Sequence, residues 1–206
     1  MAARYPAERE VRIRISHRTF SKDLFIDLLF ESGAVFEVKT AETLTPAHRS
    51  QTLTYLFLSG LHHARLVNFR PEKVQYEFVS TKLTAQARKR FAVVDRAWEK
   101  VNSESLWLKE QLCELLTDWG AFLDVCLYRE AITHFLGGPE RVLRPVEVFV
   151  GGAAKAFQRT YMLADDAAFV LTSVTDQLEH MRSHHLRFLH HWACFDKTDR
   201  EVGTFG

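Results

Sequence analysis

Cysteine is scarce in this 206-residue chain. Cys113, Cys126 and Cys194 are odd in number and widely spaced, so they suggest neither a disulfide framework nor a cysteine-held metal cluster. Long apolar runs are missing as well. None reaches the roughly 20 residues that cross a bilayer, and the opening stretch Met1–Glu10 lacks the apolar core of a signal peptide. A cytoplasmic protein is the expectation. There is no Walker-type glycine loop, no nucleophile elbow, no dinucleotide fingerprint and no H-E-x-x-H helix, so those enzyme classes have no support. No element built to read base edges stands out either.

What remains is an ordinary globular composition, 47% hydrophobic and 26% charged, long enough for one large domain or two small ones. The net charge of +1 is unevenly spread. Residues 1–100 carry 17 Lys and Arg against 11 Asp and Glu, whereas residues 101–206 carry 10 against 15. The basic half fits a polyanionic partner such as nucleic acid.

The most informative stretch lies in that half. From Leu24 to Lys39 two short apolar runs flank a Glu31-Ser32-Gly33 turn, which reads as a β-hairpin. Asp27, Glu37 and Lys39 interrupt the apolar pattern. Glu37 and Lys39 are two apart on one strand and share a face, with Phe36 and Val38 on the other. Charges among apolar strand residues are costly to bury unless paired or bound to a metal. Two carboxylates meeting across a hairpin suit a magnesium or manganese ion, which takes oxygen ligands. The lysine can orient a water and offset charge on a phosphorane. A surface hairpin with an exposed Glu–Lys pair is the competing reading.

Before the hairpin, Val11, Ile13 and Ile15 alternate with Arg12, Arg14 and Ser16, a strand with a basic outer face. After it, Thr45-Pro46 starts a helix that should run to about Ser59 and stop at Gly60. His48, Gln51 and Tyr55 fall on one face of this helix. Ala64–Phe69 reads as a strand, and Pro71–Thr81 as an edge strand through Val74, Tyr76 and Phe78. Ala85–Ala92 is a basic run read as a linker. Ser103–Phe135 is helical with a break near Trp119-Gly120, and Gly137-Gly138-Pro139 ends it.

Strand, strand, helix, strand resembles the core of the PD-(D/E)XK nuclease fold, and Gln51-x-x-x-Tyr55 is similar to the Q-x-x-x-Y motif of RecB-like nucleases. Asp27-Leu28-Leu29, Glu37-Val38-Lys39, Leu44-Thr45-Pro46-Ala47-His48 with Gln51, and Asn68-Phe69 also resemble a bacterial family named for its GxxExxVYxxxL motif, over roughly residues 8–80. The resemblance implies a metal-dependent nuclease, with DNA the expected substrate. Asp27, Glu37 and the Val38 main-chain carbonyl would hold Mg2+ or Mn2+. Lys39, Gln51 and Tyr55 would complete the catalytic set. A nuclease fold without activity, acting as a nucleic-acid-binding or protein-interaction module, is the alternative.

The second half echoes the first. Ala121-x-x-Asp124-x-x-Leu127-Tyr128-x-x-x-Ile132 resembles the family motif. Val146–Val150 and Ala156–Leu163 read as a hairpin around Gly151-Gly152. Phe169–Thr172 then reads as a strand, about Thr175–Trp192 as a helix, and Ala193–Phe195 as a strand. The expected architecture is therefore α/β, a PD-(D/E)XK-like mixed sheet flanked by helices, duplicated as an intramolecular pseudo-dimer. Residues 1–84 would form the first half, 85–102 the linker and 103–206 a degenerate second copy. In that copy Tyr161, Leu171 and Ser173 fall where Asp27, Glu37 and Lys39 stand. The first copy begins at the hairpin, without the family's leading helix. The helix around Asp124 could supply it, bringing Asp124 to the metal; a purely local capping role is the other reading. His180 and His184 are spaced to bind zinc on one helix face, against the plainer reading of a solvated polar face.

Overall fold

A computed structural model describes residues 6–173, apart from residues 97, 151 and 152. Within them the chain forms two compact units. The first contains the described residues up to Phe91 together with Leu115–Leu127. The second contains Ala92–Glu114 and the described residues from Tyr128 onward.

The first unit is built on a five-stranded sheet in the order β1-β2-β3-β4-β5, formed by Ala7–His17, Phe20–Phe30, Val35–Lys39, His63–Asn68 and Gln75–Ser80. Its pairs are antiparallel except β3–β4, which is parallel. A parallel pair needs a crossover, and helix α1, Pro46–Ser59, provides it. Both ends of α1 follow from local chemistry. The Thr45 hydroxyl accepts from the His48 N–H, the His48 ring accepts from the Thr45 N–H, and Pro46 opens the first turn. Gly60 stops the helix at φ 72°, a left-handed conformation that a β-carbon resists.

One face of α1 packs on one face of the sheet. Ile26, Val35, Tyr55, Leu56, Ala64, Leu66 and Val79 form the core there, with Leu24 and Leu29 beside it. Ile26 and Leu29 cannot share a face in a regular strand, so the alternation slips between them, at Asp27. The partner strand deforms at the same level. Glu10, opposite Asp27, drops out of the β1–β2 register and takes φ 49°.

Short helix α2, Ala85–Arg88, follows the sheet. The long helical stretch divides into α3, Ser103–Trp119, and α4, Val125–Phe135, with the break at Gly120, φ 81°. The residues around this break complete the first unit. The Trp119 indole donates to the Ser16 carbonyl at 2.9 Å, and its ring packs against Phe20. His17 Nδ1 lies 2.8 Å from Asp118 Oδ2. Arg88, buried in the basic run, donates to the carbonyls of Trp119 and Ala121.

In the second unit, Lys109 pairs with Asp95 at 2.6 Å and lies over the Trp98 ring. Helix α5, Pro139–Val142, leads into an antiparallel hairpin of β6, Leu143–Val150, and β7, Ala153–Tyr161. The expected hairpin is thus present. The expected strand at Phe169–Thr172 is not. A strand needs a partner along its length, and among the described residues the pairing here is a Met162–Ala168 bridge and one bond from the Phe169 N–H to the Tyr161 carbonyl. The helix and strand expected after Thr175, with the histidines from His180 on, lie outside the described residues.

Candidate active site

Five of the residues singled out in the sequence come together where β2, β3 and α1 meet. The β2–β3 pairing runs from Leu29 opposite Val35 to Leu28 opposite Phe36, and Asp27 and Glu37 are the next residues on their strands. Asp27 Oδ2 accepts the Val38 N–H at 2.7 Å, so the carboxylate takes a place that a neighbouring backbone carbonyl would otherwise fill. The slipped alternation at Asp27 makes this possible.

Glu37 lies on the face covered by α1 and is only 2% exposed. Its Oε1 accepts from Lys39 Nζ at 2.6 Å. Lys39 Nζ also donates to Gln51 Oε1 at 2.9 Å. That orients the Gln51 amide, whose Nε2 donates to the Tyr55 hydroxyl at 2.7 Å. The spacing of four between Gln51 and Tyr55 stacks them one turn apart on α1. A continuous chain therefore runs from Glu37 through Lys39 and Gln51 to Tyr55.

The electrostatics are unbalanced. Burial raises the Glu37 pKa to about 7; the Lys39 ammonium opposes the rise and the Asp27 carboxylate adds to it. Tyr55 is pushed up to about 12, by burial first and then by the charge of Glu37, so it stays neutral. Glu37 Oε2 is buried without a hydrogen-bond partner. An orphaned carboxylate oxygen beside a second carboxylate, with one ammonium for both, suits a divalent cation: two hard oxygen donors and excess negative charge. The side chains present therefore fit the Mg2+ or Mn2+ expected from the sequence.

Asp124 comes to this unit in another way. Its main-chain N–H donates to the buried Thr54 hydroxyl on α1 at 2.8 Å, while its Oδ1 accepts the Cys126 N–H and caps α4. Among the described residues no three His, Cys, Asp or Glu side chains gather to hold a metal, so Asp124 does not join Asp27 and Glu37 in such a group. The local capping reading describes its carboxylate.

Asn68 was noted in the sequence only as part of a resemblance. It is fully buried opposite Lys39, and its amide both donates to the Ala41 carbonyl, 2.8 Å, and accepts the Ala41 N–H, 3.0 Å. These two hydrogen bonds pin the loop that leaves β3. An apolar run ending in Asn was the available signal, since a buried Asn must find partners.

Residues 2–81 match the family model of the PD-(D/E)XK nuclease superfamily, which covers the five-stranded sheet and all five clustered side chains. A solved structure described as "Crystal structure of SSO0001" is similar at 22% identity with a TM-score of 0.31. The similarity covers 37% of this chain and 42% of that one. No curated protein matches the chain. No helix among the described residues is long and apolar enough to cross a membrane.

Proposed function

We propose that the sheet unit, which carries the PD-(D/E)XK superfamily signature over residues 2–81, is a cytoplasmic, metal-dependent nuclease that hydrolyses phosphodiester bonds in DNA. The observation that carries this reading is the buried Glu37, paired with Lys39 on one oxygen and orphaned on the other, beside Asp27.

Asp27 and Glu37 would hold Mg2+ or Mn2+. The Val38 carbonyl is the candidate third ligand. In an extended strand a residue's N–H and C=O leave on the same side, and the Val38 N–H already points at Asp27. When bound, the cation supplies Lewis-acid polarisation of a phosphoryl oxygen. The remaining work falls to the chain. Lys39 commits two of its three N–H bonds to Glu37 and Gln51. The third orients the attacking water and opposes the negative charge that builds on the phosphorane. Gln51 fixes the ammonium in place, and Tyr55, neutral and immobile in the core, fixes Gln51.

Lys39→Ala tests this assignment. Turnover of single- and double-stranded DNA and of RNA should be lost while the unfolding transition stays cooperative. An unchanged rate would remove Lys39 from the chemistry. Calorimetric titration with Mg2+ and Mn2+ should show binding to the wild type and none to Glu37→Ala. That no third acidic side chain gathers with Asp27 and Glu37 among the described residues favours a second reading, a nuclease fold kept as a binding module. On that reading nucleic acid binds without turnover in either metal.

We also read the chain as a duplication related to the GxxExxVYxxxL family, with the second half a degenerate copy. Asp124, Leu127 and Tyr128, followed by the β6–β7 hairpin, support this. Tyr161, Leu171 and Ser173, at the catalytic positions, cannot repeat the metal chemistry.

A further inference from the structure

The sheet face opposite α1 has a different chemistry. Ala64, Leu66 and Val79 point into the core, so His63, Arg65 and Val67 of β4 and Tyr76 and Phe78 of β5 share the other face. Large aromatic groups are left out of the core here. Tyr76 is 66% exposed and Phe78 57%. A basic side chain lies against each. The Arg65 guanidinium sits 5.2 Å over the Tyr76 ring, and the His63 imidazole stacks on Phe78 at 5.6 Å with the planes 20° apart. Both are diagonal cross-strand pairs of the β4–β5 ladder. Glu77 is the one carboxylate on β4 or β5, and it points the other way, pairing with Arg49 on α1. The face thus offers flat π surfaces and basic side chains with no acidic side chain from its own two strands.

We propose that this face is a platform for unpaired nucleobases, in which Tyr76 and Phe78 stack on bases while Arg65 and His63 meet the flanking phosphates. This rests on the nucleic-acid reading above and goes beyond it by naming single-stranded substrate. A single strand exposes base faces and a polyanionic backbone together, matching both chemistries of the surface. A duplex keeps its base faces hidden, and an acidic peptide has no use for an exposed ring beside each basic group.

The test is fluorescence anisotropy with a labelled 15-residue oligothymidine and with a 15-base-pair duplex, in EDTA so that no cleavage occurs. Tyr76→Ala should weaken oligothymidine binding about tenfold, and the double variant with Phe78→Ala about a hundredfold, as expected for lost stacking. Duplex affinity should barely change. The ring-preserving pair Tyr76→Phe with Phe78→Tyr should retain binding, separating stacking from any loss of fold. Three results would overturn the proposal: equal oligothymidine affinity in wild type and double variant, an equal loss for duplex, or a change in sedimentation state showing that the face joins two copies of the chain. The outcomes also separate this inference from the catalytic one. Ring-dependent binding without cleavage in Mg2+ refutes catalysis and keeps the platform, and cleavage with ring-independent binding does the reverse.

Discussion

Replacing Glu37 by Gln should make the metal-free protein more stable at neutral pH. The carboxyl is 2% exposed, and its pKa stands at about 7 against an ordinary 4.5. Between those values the folded state keeps a proton that the unfolded state has released. The folded state binds more protons there, so stability falls as pH rises. At about 1.4 kcal/mol per pH unit, the loss across the window is about 3 kcal/mol, complete by roughly pH 7.5. For a chain of this size that is roughly 6–12 °C in melting temperature. Glutamine keeps an oxygen for Lys39 and cannot ionise. The assay is thermal unfolding of both proteins in EDTA from pH 4.5 to 8.5. The quantity read is their difference, from which every group the two proteins share cancels. The two melting temperatures should be close at pH 4.5 and diverge through pH 7, with the variant ahead. Parallel curves would show that Glu37 ionises without penalty. A wild type that gains on the variant with rising pH would show that the Lys39 pairing outweighs burial. Saturating Mg2+ should reverse the order above pH 7, since the cation compensates the charge that burial disfavours.

Two further predictions follow from the geometry. Asn68→Ala leaves both polar groups of Ala41 without their partner, which should cost about 2–3 kcal/mol in denaturant unfolding and lower turnover by loosening the loop after Lys39; an activity unchanged at full folding would show that the loop needs no anchor. Asp124→Ala removes a helix cap and should cost about 1 kcal/mol while leaving turnover near wild type; loss of Mg2+ binding in this variant would restore Asp124 to the metal set.

The parts of this fold that were legible in the sequence are those with local causes. Thr45-Pro46 and Gly60 announce both ends of α1, and the helix begins and stops there. Gly120 breaks the long helix where a glycine can turn left-handed. The clustering of Glu37 and Lys39 with Gln51 and Tyr55 was readable because strand and helix periods place these four on known faces; Asp27 joins them through a slipped alternation that the sequence does not announce. Contacts across long separations were not. Arg88 sits in a basic run that reads as a linker, yet it is buried and the Trp119 and Ala121 carbonyls, more than 30 residues away, accept from it. The kink at Glu10 left no mark either, since nothing in Arg9-Glu10-Val11 favours positive φ. The apolar run at Phe169–Thr172 has strand composition but no partner strand among the described residues, and composition says nothing about partners.

The Trp119 indole on the Ser16 carbonyl joins residues 103 apart in sequence. The sheet unit is therefore finished late in synthesis. All five strands have left the ribosome before the segment that seals their flank is made, and residues 92–114 must come out in between. Until Leu127 follows, Arg88 lacks the two carbonyls it is buried against, and Thr54 lacks the N–H of Asp124. A chain interrupted after the last strand would hold every clustered side chain of the site and still be missing part of its wall. The side chains of the candidate site are thus all synthesised before the unit that encloses them can close.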